Sequence, residues 1–162
     1  MRRCCRSMVL FSATLLAGCG FHLQGRVVLP ASLAAVRIEA IDPQSEFVHE
    51  LRAALLASGT QLDDAGEAAD AAVLHITVDT NYDKVLSVSI HNVPTDYRLT
   101  YTVKLSVSHG ARELMPSEAH ELSREYTFDE TTMLAKQRER DTLVAALAAE
   151  LADVTMRRLA TL

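Results

Sequence analysis

The chain of 162 residues lacks, at its N-terminus, an apolar run long enough to cross a membrane. The run from position 8 to position 16 is short and is interrupted by two hydroxyl side chains, whereas a transmembrane helix needs about 20 apolar residues. Arg2, Arg3 and Arg6 precede this run, and small residues follow it. That order is typical of a cleavable export signal. We therefore predict that residues 1–18 are a signal peptide.

Cysteine is also scarce. Cys4 and Cys5 lie within the predicted signal, and Cys19 follows Leu16-Ala17-Gly18. This segment resembles the lipobox of bacterial lipoproteins, in which the cysteine sulfur takes a diacylglycerol, the preceding bond is cut and the new amino group is acylated. An ordinary signal peptide that happens to end in cysteine is the alternative. Lipidation at Cys19 would leave no thiol for a disulfide, a thiolate metal site or a nucleophile.

The lipid anchor also bears on location. A single acyl chain binds a membrane only marginally, so a multiply acylated cysteine is a lasting tether. In bacterial lipoproteins an Asp after the lipidated cysteine commonly marks retention in the inner membrane, whereas Gly20 stands there in this chain. By that resemblance, we predict an outer-membrane protein that faces the periplasm. Apart from the covalent acyl groups, we predict no cofactor.

The chain has little positive charge and few signs of catalysis. Removal of the signal leaves 13 Lys and Arg against 21 Asp and Glu, and this acidic balance disfavours nucleic-acid binding. The six histidines are dispersed, without the spacing of a zinc motif. Neither a phosphate-binding glycine loop nor a nucleophile elbow is present. We therefore predict neither an enzyme nor a metal protein.

Two amphipathic helices are predicted within one domain. Residues 19–30 form the lipidated tether, and residues 31–162 form the domain. The first helix is expected to begin with Asp42 as its N-cap and to stop at Gly59, and residues 60–72 then form a surface connection. The second helix runs from about 131 to 159. Its apolar stripe is expected at Leu143, Leu147, Leu151 and Val154.

Alternating apolar and polar residues predict the strands. A short strand covers residues 36–41, and three long strands lie between about residues 73 and 128, with a hairpin turn at His91-Asn92-Val93-Pro94. In the first long strand we expect Leu74, Ile76 and Val78 to share the buried face. The second alternates apolar and polar side chains from Tyr97 to Ser108, which indicates a sheet covered on one side. The predicted fold is α+β, a two-layer sandwich with two helices on one face of a mixed, mostly antiparallel four-stranded sheet.

A local group of basic side chains stands out on this acidic chain. Lys136, Arg138 and Arg140 lie near the start of the second helix, where they could meet phosphate groups through charge-assisted hydrogen bonds. The alternative is a solvated helix face on which these residues pair with Glu139 and Asp141.

The residues after the lipobox resemble a known family. Cys19-Gly20-Phe21-His22-Leu23-Gln24-Gly25 is similar to the Cys-Gly-aromatic-His-Leu-Arg opening of the LPS-assembly lipoprotein family, LptE. Agreement continues at Asp42-Pro43, at the helix end before Gly59 and at Met133-Leu134-Ala135-Lys136. The resemblance covers the mature chain in the order of its elements. Its specific motifs are the first seven mature residues and the Ala135-Lys136 region.

This resemblance implies a non-catalytic subunit of the lipopolysaccharide translocon. Members of the family sit as a plug inside the β-barrel partner LptD, help that barrel assemble and bind lipopolysaccharide. It implies lipopolysaccharide binding at Lys136, beside which Arg138 lies, and at His91, where the family carries a basic residue before Asn92. With histidine there, the charge depends on pH. The alternative function is a free periplasm-facing lipoprotein that binds or carries lipid within another envelope transport machine.

Overall fold

A computed structural model of the chain describes residues 27–68, 70–127 and 133–162. After a 3-10 turn at Ala31–Leu33, the elements are β1 (Ala35–Ala40), α1 (Glu46–Ser58), β2 (Gln61–Leu62), β3 (Ala72–Val88), β4 (Pro94–His109), β5 (Arg112–Thr127) and α2 (Met133–Leu159). The lipobox with Cys19, most of the predicted tether, and Phe128 lie outside the described residues.

The five strands form one mixed sheet in the order β2-β1-β3-β4-β5. β1 pairs in parallel with β2 and with β3, while the long strands β3, β4 and β5 are joined by antiparallel hairpins. The predicted two-layer α+β class is confirmed, and the sheet has five strands where we expected four. The additional strand is β2, which lies within the predicted surface connection. Two residues are too few to carry a periodic pattern, so only the pairing with β1 reveals it.

The core lies between one face of this sheet and the two helices. Alternate residues of β4, from Leu99 to Val107, are at most 2% exposed, because successive side chains of a strand point to opposite faces. They belong to a single cluster of buried residues that includes Phe47 and Leu51 of α1 and Leu147 of α2. The alternation predicted for β4 is therefore confirmed.

The first helix begins three residues later than the sequence predicted. The N-cap is Ser45, whose Oγ accepts a hydrogen bond from the backbone N–H of Val48 at 3.1 Å. Asp42 accepts instead from the backbone N–H of Gln44 at 3.0 Å and so forms a local turn before the helix. The prediction of Asp42 as N-cap was wrong, since that turn satisfies the Asp side chain first. Gly59 ends the helix with a φ of +95°, as predicted.

A β-bulge reverses the faces of β3 halfway along the strand. Ile76 pairs with Leu105, but Val78 pairs with Lys104, so one extra residue lies between them. Leu74 and Ile76 are buried, whereas the bulge turns Val78 to the other face. The prediction that Val78 shares their face was therefore wrong. Beyond the bulge, the positions that face the helices are Asp79, Asn81 and Asp83.

The buried face of α2 is wider than the predicted stripe. Leu147 and Leu151 are buried as expected, whereas Leu143 and Val154 are only half-buried. The remaining buried positions are Val144, Ala148, Ala152, Thr155, Met156 and Leu159. The helix packs against both α1 and the sheet, so a broad face is covered, and its alanines allow close approach. Among the described residues, no helix has the length and hydrophobicity needed to cross a membrane.

Candidate functional site at the hairpin pole

The turn between β3 and β4 presents His91 at one end of the sheet. The backbone N–H of Ser89 donates to the carbonyl of Val93 at 2.7 Å, and the Ser89 carbonyl accepts from Asn92 at 2.9 Å. Asn92 has a φ of +60°, a left-handed conformation that Asn tolerates better than most residues. The Ser89 hydroxyl accepts from the N–H groups of His91 and Val93, at 3.3 Å each. His91 is thus an exposed side chain on a closed turn.

A carboxylate ties the strands together just below this turn. Asp96 of β4 accepts hydrogen bonds from Ser87 of β3 and, at 3.1 Å, from Thr127 at the end of β5. The hydroxyl of Ser87, and then that of Thr127, lowers the pKa of Asp96 below its usual range. The cluster therefore holds a negative charge at neutral pH and fixes the three strand ends relative to one another.

The start of α2 lies at the same end of the molecule. β5 ends at Thr127, opposite Asp96, and α2 begins at Met133. Lys136 belongs to the first turn of α2, but its side chain lies outside the described residues, while the side chain of Arg138 is exposed. The turn that carries His91 and the start of α2, although distant in sequence, thus lie at the same end of the sheet. We call the Ser89–Val93 turn and the first two turns of α2 the hairpin pole.

Arg140 is separate from this basic group. Its Nε donates to Asp83 at 2.6 Å and its Nη2 donates to Asn81 at 2.9 Å, both on β3. Two residues along an α-helix correspond to roughly 200° of rotation, so Arg138 and Arg140 point in different directions. The basic group predicted from sequence is thereby reduced to Lys136 and Arg138, and Arg140 fastens α2 to the sheet.

Asp83 also holds a tyrosine on β5. The hydroxyl of Tyr126 donates to Asp83 at 3.1 Å, and its ring stacks on Tyr97 with centroids 5.5 Å apart. Burial, followed by the charge and the hydrogen bond of Asp83, raises the pKa of Tyr126 to about 12. At neutral pH the phenol is therefore a stable hydrogen-bond donor rather than a base. The sequence reasoning missed this group, although the alternate polar residues of β3 after Ile76 were a signal for it.

The face of the sheet opposite the helices is polar. Arg98 pairs with Glu125 at 2.7 Å, and Thr102 donates to Glu121 at 2.9 Å across β4 and β5. Near β1, Nδ1 of His75 lies 3.1 Å from Glu39. Along their strands these residues alternate with ones on the side of the sheet that carries the helices. This open face thus offers fixed hydrogen-bonding groups and ion pairs to whatever lies against it.

The grooves on the described surface are shallow and open to solvent. One of about 620 Å³ lies beside the start of α1 and is lined by polar side chains that include Glu46, His49 and Arg52. Another, of about 540 Å³, lies where β1 ends. Within residues 27–68, 70–127 and 133–162, no group of three or more Asp, Glu, His or Cys side chains could hold a metal. Neither groove forms an enclosed apolar pocket.

Comparison with known sequences gives a family match over most of the chain. The model of the LptE lipopolysaccharide-assembly family matches residues 33–159. The chain is 24% identical over 163 residues to the LPS-assembly lipoprotein LptE of Pectobacterium atrosepticum, covering all of this chain and 88% of that protein. It is 26% identical over 143 residues to that of Yersinia enterocolitica, with 88% of this chain and 69% of the relative covered.

Solved structures show the same fold. Rare lipoprotein B from Shewanella oneidensis superposes with a TM-score of 0.68 at 26% identity and covers 78% of this chain and 94% of that structure. The solution structure of an uncharacterised lipoprotein B from Nitrosomonas europaea gives a TM-score of 0.70 at 21% identity, over 87% of this chain and 90% of that one.

Proposed function

The chain belongs to the LptE lipopolysaccharide-assembly family, and on that premise we propose that it is a subunit of the outer-membrane lipopolysaccharide translocon. In this role it plugs a large LptD-type β-barrel, assists the assembly of that barrel and contacts lipopolysaccharide during export. The lipid on Cys19 holds it at the periplasmic side of the outer membrane. None of these steps requires catalysis by the chain.

The observation that carries the plug role is the polar open face of the sheet. The interior of an outer-membrane barrel is polar, and a body placed there must offer hydrogen-bonding groups on the surfaces that meet its wall. The Arg98–Glu125 pair and the Thr102–Glu121 hydrogen bond supply such groups. Opposite them, helices and sheet enclose a packed core, which suits a rigid plug better than a carrier.

Contact with lipopolysaccharide is assigned to the hairpin pole. Arg138 is exposed there, Lys136 lies in the first turn of α2, and His91 lies on the turn. Phosphate groups form strong charge-assisted hydrogen bonds with such cations. The negative charge of Asp96 is already satisfied by hydroxyl donors, so it does not have to pair with these cations.

Purification of the tagged, lipidated chain from outer membranes in mild detergent tests the plug role. We expect a large β-barrel protein in about equal amount, identified by mass spectrometry. Recovery of the chain alone would contradict the proposal and favour the free lipid-binding lipoprotein.

A charge reversal tests the lipopolysaccharide contact in the same preparation. Lys136→Glu should weaken binding of lipopolysaccharide about tenfold or more, because attraction to phosphate becomes repulsion. Arg157→Glu is the matched control, since Arg157 is exposed on the same helix at the opposite end. Equal effects of the two changes would indicate that only the net charge matters.

A further inference from the structure

The C-terminal half of β3 forms an edge of the sheet. β1 pairs with β3 only from Ala72 to Ile76, and the last contact is the hydrogen bond from Ile41 N–H to the Ile76 carbonyl. Within the part of the chain that the structure describes, β3 pairs with β4 alone from Thr77 to Val88. Along this stretch, alternate residues turn their N–H and C=O groups away from β4. We call this stretch the β3 edge.

The other two edges of the sheet are protected against pairing. β2 is only two residues long, and very short edge strands offer little to a partner. β5 contains Pro116 and six charged residues, of which Glu118, Arg124 and Glu125 form ion pairs. Proline and charged side chains are common protections of edge strands.

The β3 edge carries little such protection. Tyr82 is 51% exposed, Val85 45% and Val88 53%. The two carboxylates, Asp79 and Asp83, face the helices and are bonded to Tyr101 and Arg140. Lys84 is the only charged residue of this stretch left on the other face. Exposed apolar side chains beside unpaired backbone groups mark a surface that a partner covers.

A groove adjoins the β3 edge at its N-terminal end, near Thr77. Where β1 stops, a space of about 540 Å³ is lined by Ile38, Ala40, Ile41 and Ile76, together with Glu39. Ile41 is 72% exposed. The groove continues the line of β1, so a strand added beside β3 would enter it. Glu39, together with Asp42 at the end of β1, favours a basic side chain on the incoming strand.

We infer that the β3 edge binds an extended segment of the β-barrel partner, which adds a sixth strand to the sheet next to β3. This inference rests on the proposed function. The mode is β-strand addition, in which backbone hydrogen bonds give affinity and the exposed side chains give register. A segment with apolar residues towards Val85 and Val88 and a basic residue towards Ile41 matches the surface.

A second copy of the chain fits this edge less well than a segment of another protein does. Among the described residues, the stretch 28–31 lies elsewhere, in a groove with Ser58, Gly59 and Thr60 at the opposite end of β1 from Ile41. A second copy of the chain would place two further carboxylates, Asp79 and Asp83, on the same face, which like-charge repulsion disfavours.

Photo-cross-linking from the edge tests this inference in the full, lipidated chain. p-Benzoylphenylalanine replaces Tyr82 in one variant and Ser123 in another. Ser123 is the matched control, because Tyr82, Thr100 and Ser123 are consecutive partners across β3, β4 and β5. The two probes therefore lie level with each other along the strands and on the same face of the sheet, one on β3 and the other on β5. Both probes lie on the open face, which the proposed function places against the barrel wall, so both should cross-link to the barrel. We expect only the Tyr82 products to map to one extended segment of it.

The position of the cross-links decides whether a strand is bound. Probes at Thr80 and Tyr82 should map about two residues apart on one segment of the barrel, as strand pairing requires. Cross-links scattered over several segments, or a product with a second copy of the chain, would overturn the inference. Leu86, which is 38% exposed in this stretch, gives a test by substitution: Leu86→Lys should lower barrel recovery, whereas Ala146→Lys, at an exposed position of α2 in the other layer, should not.

The outcomes for the two proposals can be told apart. If the barrel co-purifies but the Thr80 and Tyr82 cross-links do not map about two residues apart on one segment, strand addition is wrong and the plug role stands. If no barrel is recovered with the unmodified chain, the proposed function fails, and this inference fails with it.

Discussion

Arg140 joins α2 to β3 through two acceptors, Asp83 at 2.6 Å and Asn81 at 2.9 Å. Asp83 in turn accepts from Tyr126, so three elements meet at one carboxylate. Only about a quarter of the Asp83 side chain is exposed, and partial burial strengthens such contacts relative to surface pairs. This group lies one turn of α2 from Lys136, so it also sets the direction in which the start of the helix runs.

Asp83→Asn tests this group. We expect a loss of about 1–2 kcal/mol in the free energy of unfolding, because a charged acceptor of two hydrogen bonds is removed. The pKa of Tyr126 should fall from about 12 towards its ordinary value, although burial keeps it above that value. Chemical denaturation and phenolate absorbance at high pH measure the two effects.

The control for this prediction is Glu125→Gln, which removes the exposed pair with Arg98. Its effect on unfolding should stay below about 0.5 kcal/mol. A Tyr126→Phe variant identifies the absorbance step that belongs to Tyr126. If the two carboxylate variants lose equal stability, Asp83 has no special role.

At the scale of single elements, the start of α1 is set by a tertiary contact. Ser45 caps the helix through Val48, and its hydroxyl donates to Asp79 of β3. Asp79 also accepts from the hydroxyl of Tyr101 at 2.8 Å. The bulge in β3 makes this possible, since it turns Asp79 towards the helices. One irregularity in a strand thereby positions the end of a neighbouring helix.

Ser45→Ala should lower the free energy of unfolding by about 1 kcal/mol, the usual effect of losing an N-cap. Asp42→Ala, at the cap position expected from sequence, should change it by less than about 0.5 kcal/mol, because its side chain is exposed and bonds only locally. Thermal or chemical unfolding of the two variants distinguishes the caps. A larger loss for Asp42→Ala would show that the helix begins earlier.

At the scale of the whole molecule, several carboxylates couple folding to pH. Hydrogen bonds from Arg37, Arg52 and Arg158 lower the pKa values of Asp63, Asp64 and Glu118, respectively. The unfolded chain therefore binds protons at a higher pH than the folded chain does. These groups stabilise the fold fully at pH values above their ordinary pKa values, which are about 4. The stabilisation is lost as the pH falls through the lower pKa values that the groups have in the folded chain.

We therefore expect the free energy of unfolding to change little between pH 7 and about pH 5 and to fall steeply below about pH 4. Urea unfolding across this range measures it. Glu118→Gln should be less stable at pH 7 and should show a shallower fall in acid, since its bond to Arg158 no longer carries a titrating charge. If the free energy of unfolding of this variant falls with decreasing pH as steeply as that of the unmodified chain, Glu118 does not contribute to the pH dependence.

The fold class, the bounds of α2, the stop of α1 at Gly59 and the alternation of β4 could all be predicted from the sequence. Each depends on residues close together in the chain, where helical and strand periods are visible. The predicted lipid site at Cys19 and the family resemblance rest on similarly local motifs. Family membership then followed from the match over residues 33–159.

Only the tertiary structure decided which faces and edges these elements present. The bulge after Ile76 moved Val78 out of the core, and the short reach of β1 left the β3 edge free. Folding also separated Arg140 from Arg138 and placed the turn that carries His91 and the start of α2 at the same end of the sheet. These features depend on the register between strands distant in sequence, and a local period does not encode that register. The sequence by itself thus determined which helices and strands form. The pairing of distant strands in the sheet determined which side chains contact one another.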